Sequence, residues 1–197
     1  MFSRSRPSEL AVRTHLERQG AKAFSYSDVG ATRPGAATAL PPRAAIDHNR
    51  IQLGSGAESF ERAKAAIRHW EMFNLGWVEL LWPSAPITAG TTVGVLVGAL
   101  GLWSLNCCRI VYLLDDGGEL ERYGFAYGTL PDHAESGEER FTVEWNHRDD
   151  SVWYDLFAFS RPNQLLAWLG HPYARRLQKQ FAAASLVAMG RAASVSI

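Results

Sequence analysis

Residues 122–160 read RYGFAYGTLPDHAESGEERFTVEWNHRDDSVWYDLFAFS. Apolar and polar residues alternate, aromatics are frequent, and Gly, Asn and Asp punctuate the run. A period of two predicts three successive strands and no helix. Side chains alternate across a strand, so Phe141, Val143 and Trp145 share one face of the strand predicted over 138–145. Arg140, Thr142 and Glu144 take the other. The strand predicted over 152–160 is apolar on both faces except at Asp155. Between the first two strands, 128–137 reads as a polar, glycine-bounded loop, longer than the roughly 2–5 residues of a usual hairpin.

Working outward, 91–100 and 106–114 read as two more strands. Asp115-Asp116-Gly117-Gly118 is a hairpin turn to the strand at 121–127. A short apolar segment, 77–82, ends at Pro83. Further back, 49–53 predicts a short strand, and Ser55-Gly56-Ala57-Glu58 reads as a capping box. Gly54-x-Gly56 also resembles part of a dinucleotide fingerprint, but no βαβ unit follows, so a tight turn is the better account. In the helix that follows, Phe60, Ala63, Ile67 and Trp70 fall on one face, and glycine at 76 suits its end. Downstream, Arg161-Pro162-Asn163 breaks the sheet, 164–169 gives a helical turn, and 172–189 a helix with Pro near its start. Its expected apolar stripe is Tyr173, Leu177, Phe181, Ala184 and Ala188. The predicted class is α+β: a strongly curved antiparallel sheet gripping a long C-terminal helix around an apolar cavity. Residues 1–45 form a Pro/Gly-rich, partly extended arm with a short exposed helix over 9–19, and 46–197 a single domain.

Composition narrows the function. The chain is 47% hydrophobic and 20% charged, as a globular protein is. Lys+Arg and Asp+Glu are both 20, so no overall field draws nucleic acid, although Arg175, Arg176 and Lys179 cluster. MFSRSRPSEL has no apolar run behind it and is not a secretory signal. The longest apolar run, 91–103, is shorter than the ~20 residues a spanning helix needs. The expected setting is the cytoplasm, and the protein is not expected to be integral to a membrane. Cys107 and Cys108 are the two cysteines. As strand neighbours they point to opposite faces, which fits two buried thiols in a reducing compartment. The histidines show no metal-ligand spacing, and neither metal nor cofactor is expected.

A set of motifs carries a resemblance. Tyr26 with Gly30-Ala31-Thr32, Leu53-Gly54-Ser55-Gly56, Phe60, Ala63, Trp70 and Trp77 begin it. Arg109-Ile110-Val111-Tyr112, then Phe125 through Leu130, His133, and Gly137-Glu138-Glu139-Arg140-Phe141 continue it. Val152-Trp153-Tyr154, Phe159-Ser160-Arg161-Pro162, Arg176, Gln178 and Phe181 complete it. On these the chain resembles, from about Tyr26 onward, the family known as domain of unknown function 1990. The element order looks like the helix-grip class of START domains, polyketide cyclases and pollen-allergen-like ligand carriers. That second likeness implies a fold, and fold does not fix function.

The expected function is binding of an apolar or amphipathic small molecule: a lipid, an isoprenoid or an aromatic metabolite. Apolar cavities are lined by aromatics with a few orienting polar groups, so Trp77, Tyr112, Tyr127, Trp145 and Trp153 are candidate lining residues. Arg109, Tyr127, His133 and Glu139 are candidates to orient a polar end. Glu139 reads otherwise as a salt-bridge partner of Arg109 or Arg122, and His133 as a solvated loop histidine. The alternative is a cyclase- or hydrolase-type enzyme in which His133 and Glu138 or Glu139 act as acid and base. A third reading is a protein-interaction module without ligand, working through an aromatic patch or the basic end of the last helix.

Overall fold

The computed structural model describes residues 2–36, 40–82, 84–99, 101–163 and 171–194. A two-residue strand β1 (Phe2–Ser3) precedes α1 (Glu9–Gly20). Then come β2 (Ala45–Ser55), α2 (Gly56–Arg68) and a 3-10 turn (Glu71–Phe73). Six strands follow: β3 (Val78–Leu81), β4 (Thr92–Ala99), β5 (Leu102–Asp116), β6 (Leu120–Thr129), β7 (Glu135–Asn146) and β8 (Ser151–Pro162). The last element is α3 (His171–Ala193).

The sheet runs β2-β8-β7-β6-β5-β4-β3, with β1 paired to β5, and every pairing is antiparallel. It curls around α2 and α3. Phe60, Ala63, Ile67 and Trp70 are all buried, as their spacing predicts, against Phe125, Phe141 and Tyr154 of the concave face. The predicted turn at 115–118 joins β5 to β6.

Several local expectations are revised. Ser55 is the residue before α2 but its side chain makes no capping bond, so the capping box does not form. α2 stops at Arg68, well before Gly76, because Trp70 turns left-handed (φ 57°) to drop its indole into the core. Half of the segment 128–137 is strand: β6 runs to Thr129 and β7 starts at Glu135. The Thr129 hydroxyl is bonded to both the N–H and the carbonyl of Gly137, closing the hairpin early. The helical turn expected at 164–169 lies outside the described residues. Along α3 the most buried positions are Ala182, Ser185, Met189 and Ala193, one step off the expected alanines 184 and 188.

The N-terminal segment is packed on the convex face of the sheet. Val12 and Leu16 of α1 sit against Leu96, Leu105 and Cys107, so this helix is docked where the sequence suggested exposure. Residues 24–33 cross β6 and β7 and are held by Glu138. Its carboxylate accepts from the Tyr26 hydroxyl (2.7 Å), the Gly30 N–H (2.7 Å), and the Thr32 N–H (3.0 Å) and hydroxyl. Tyr26 lies so close to β6 that a Cβ at Gly128 would fall 2.0 Å from its hydroxyl. Only glycine permits that approach. Cys107 and Cys108 are buried on opposite sides of the sheet, in separate apolar clusters, and unbridged. Burial raises both thiols, Cys107 to about 12.

Candidate functional site: a cavity under the C-terminal helix

The second half of α3 is the more deeply buried, with Ser185, Met189 and Ala193 fully covered. Ser185 meets the Tyr154 hydroxyl there (2.9 Å), and the Arg62 guanidinium donates to the Ala193 carbonyl (2.9 Å). Toward its N-terminus the helix stands off from β4–β8 and leaves a cavity of about 830 Å³. Val95, Val97, Leu156, Phe73, Leu177 and Phe181 supply apolar wall. Two bonds tie this half of the helix to the sheet edge. Arg175 forks onto Asp47 of β2 (2.6 and 2.7 Å), and Gln178 donates to the Ser160 hydroxyl of β8 (3.1 Å).

Polar groups enter the wall at few places. Tyr127 and Glu139 face each other across β6 and β7, and the phenol donates to the carboxylate (2.8 Å). Burial raises Glu139 to about 7, and burial beside that carboxylate holds the phenol far above its ordinary range. Glu135, at the start of β7, is likewise raised to about 7 by burial, with Arg175 pulling the other way. His133 sits on the short loop before it, pinned by Asn163, which donates to the carbonyls of Pro131 and His133 (both 2.9 Å). Its Nδ1 accepts from the Glu135 N–H (2.9 Å), and burial lowers the imidazole to about 4.

Of the residues singled out from sequence, Trp77, Tyr127, His133 and Glu139 line this space. The other four lie elsewhere. Arg109 is on the convex face, donating to the carbonyls of Gly20 and Lys22 with its guanidinium 4.3 Å from the Phe24 ring. Tyr112 would share a face with Cys108 and Ile110 in a regular strand. A register shift between Ile110 and Tyr112 turns it outward to meet the Thr32 hydroxyl (2.8 Å). Trp153 is on the outer face under Arg50 and donates to Ser151. Trp145 does face inward, but at the far end of β7, packed on Phe60 and bonded to Asp150.

Neither salt bridge suggested for Glu139 forms. Arg109 is committed to α1's end, and Arg122 pairs with Glu144 (3.1 Å). Glu138 is removed from any partnership with His133, since it lies on the convex face and is filled by the arm. Glu135, Asn106, Asn49 and Asp47 line the cavity and were not among the candidates. The alternation of β2 does place Asp47 and Asn49 on one face with Ile51, so that part was readable. Asp155, the lone acid of β8, belongs to an outer network with His48, Arg50 and Arg140. Among the described residues no cluster of three or more metal-ligating side chains occurs, and no helix is long and apolar enough to cross a membrane.

A UPF0548 protein of Dictyostelium discoideum is 36% identical over 197 residues, covering 92% of this chain and 90% of the relative. Solved structures share the architecture at low identity. A hypothetical protein from Helicobacter pylori superposes with a TM-score of 0.51 at 8% identity, over 76% of this chain and 88% of that one. Norcoclaurine synthase from Thalictrum flavum gives 0.47 at 13% identity, over 79% and 97%. The likeness is one of fold, the helix-grip, START-like arrangement of a curled sheet around a C-terminal helix. The model of the family described as Domain of unknown function (DUF1990) matches residues 25–188. That span runs from the arm clasped by Glu138 to the buried half of α3, and the chain belongs to this family.

Proposed function

We propose that the protein binds an apolar or amphipathic small molecule, of the lipid, isoprenoid or aromatic-metabolite kind, in the cavity between sheet and α3. The observation that carries this is the cavity itself: about 830 Å³, within the roughly 300–1,000 Å³ of small-molecule sites, and mostly apolar with a few convergent polar groups. Burial of ligand surface supplies the affinity at about 25 cal/mol per Å², and Tyr127, Glu139 and His133 orient the polar end. Two unbridged cysteines support work in the cytoplasm.

Native mass spectrometry of freshly purified protein, set against its denatured mass, tests the reading. The expected result is a retained small molecule that leaves on denaturation. A bare mass, with no uptake from an added panel of medium-chain alcohols, acids and amines, overturns it.

One observation favours a second reading, acid catalysis. A carboxyl lifted to about 7 and bonded to a phenol is poised to exchange a proton near neutrality. In that case Glu139, and not Glu138, is the acid. A bound molecule recovered chemically altered, and recovered intact from Glu139→Gln, marks catalysis; identical recovery from both proteins removes it.

A further inference from the structure

The cavity wall contains one acid, Glu135, with an oxygen that no group among the described residues satisfies. Glu135 is 8% exposed and lines the cavity. Its Oε1 is sealed from solvent without a hydrogen-bond partner among the described residues. Arg175, the cation whose field reaches Glu135, is itself engaged by both oxygens of Asp47. Buried carboxylates are normally paired or hydrogen-bonded, because desolvating one alone is costly. Here a donor has a place to arrive from once the carboxyl turns toward the empty volume that Glu135 lines, which is large enough for a ligand.

The rest of the wall has the same sign. Glu139 lies two residues beyond Gly137 on the same face of β7, and Asp47 of β2 lies two strands over, both being paired with Ala158 of β8. Asp47 is neutralised by Arg175. His133 is kept uncharged by burial. Lys179 borders the cavity from an exposed position on α3. An anionic head beside the start of β7 would meet Glu135 and Glu139 as like charges, while a cationic one meets two acids.

We infer that the ligand of this cavity is an amphipathic amine, whose protonated nitrogen donates to the Glu135 carboxylate while its apolar body fills the space toward Val97 and Phe181. The inference rests on the cavity-binding reading above. It names the head group that reading leaves open.

Titration calorimetry with decylamine, decanol and decanoate at about pH 8 separates the two ideas, because the three share one apolar body. The expected order is amine first, about tenfold tighter than the alcohol, as a charge-assisted hydrogen bond implies, with decanoate weakest. In Glu135→Gln the amine falls to the affinity of the alcohol and the alcohol is unchanged. Alcohol binding equal to or tighter than amine binding in the natural protein overturns the amine inference and leaves the cavity reading standing. So does an amine preference that survives in a folded Glu135→Gln. Decanoate binding tightest also overturns it, assigning Glu135 as a protonated donor instead. Failure of all three to bind overturns the inference together with the cavity reading.

Discussion

Glu139 and His133 border the same cavity and respond to pH in opposite senses. Burial raises Glu139 from 4.5 to about 7, so the folded chain holds that proton more tightly than the unfolded chain. Its contribution to stability is complete below the unfolded value and is lost as pH rises through about 7. Glu135 moves the same way. His133 is lowered from 6.5 to about 4, so its contribution is complete above 6.5 and is lost as pH falls through 4. Above about pH 6.5 only the two carboxyls still titrate among these three. The protein is therefore expected to lose stability between about pH 6.5 and 8. Glu139→Gln, which can still accept from Tyr127, should lose less, ending more stable than the natural protein at pH 8 by on the order of 1 kcal/mol. Urea unfolding at both pH values measures this, and an unchanged pH slope in the variant would falsify it. The neighbouring Glu138 shows how much one residue of register decides: it faces the other way, and its acceptors are filled by Tyr26, Gly30 and Thr32.

At the scale of elements, α3 is two structures in one helix. Its second half is fixed by Ser185, Met189 and Ala193, all fully buried. Its first half roofs the cavity and is held by Arg175–Asp47 and Gln178–Ser160. A forked Arg–carboxylate pair is stronger than a single ion pair, but partial exposure limits it to about 1 kcal/mol. Arg175→Met is expected to speed amide hydrogen exchange over 173–181 while leaving 185–193 protected, at a global cost of that size. Equal acceleration in both halves would count against a separable roof. The pattern of the helix did not reveal its phase. Phe181 is followed by three consecutive alanines, and alanine suits a buried or an exposed face equally, so a one-step rotation leaves no mark. The β6–β7 connection was hidden for a related reason. Glu135 and Ser136 look like a solvated loop, yet they are strand residues whose polar groups meet the cavity or the arm. Ser136, for example, donates to the Ser25 carbonyl (2.9 Å).

For the molecule as a whole, the question is whether the space under α3 is used or merely left over. Val97 projects into it from β4. Val97→Trp should occupy the volume, lower retention of a bound molecule by at least about tenfold, and leave the unfolding free energy within about 1–3 kcal/mol of the natural protein, the usual range for overpacking. Native mass spectrometry and urea unfolding give the two readouts. Undiminished retention by a folded variant would place the ligand elsewhere. The arm adds a second whole-molecule feature: residues 24–33 close the convex side as α2 and α3 close the concave side, so the sheet is covered on both faces.

The sequence by itself determined the class of fold. Alternation at 138–160, the Asp-Gly turn at 117, and the three- and four-residue spacing of Phe60, Ala63, Ile67 and Trp70 are local patterns, and each fixes an element without reference to any other. It also determined that Phe141, Val143 and Trp145 share a face and that Cys107 and Cys108 do not. Which candidates meet in the cavity was decided only by the tertiary structure. The bulge at Ile110/Tyr112 sends Tyr112 outward, the arm captures Glu138, α1 captures Arg109, and the length of β7 carries Trp145 out of reach of Glu139. These outcomes depend on sheet curvature, on register and on contacts between residues 80 to 112 positions apart. Alternation assigns a side chain to a face, while the partner it finds there is set by chain that arrives from elsewhere.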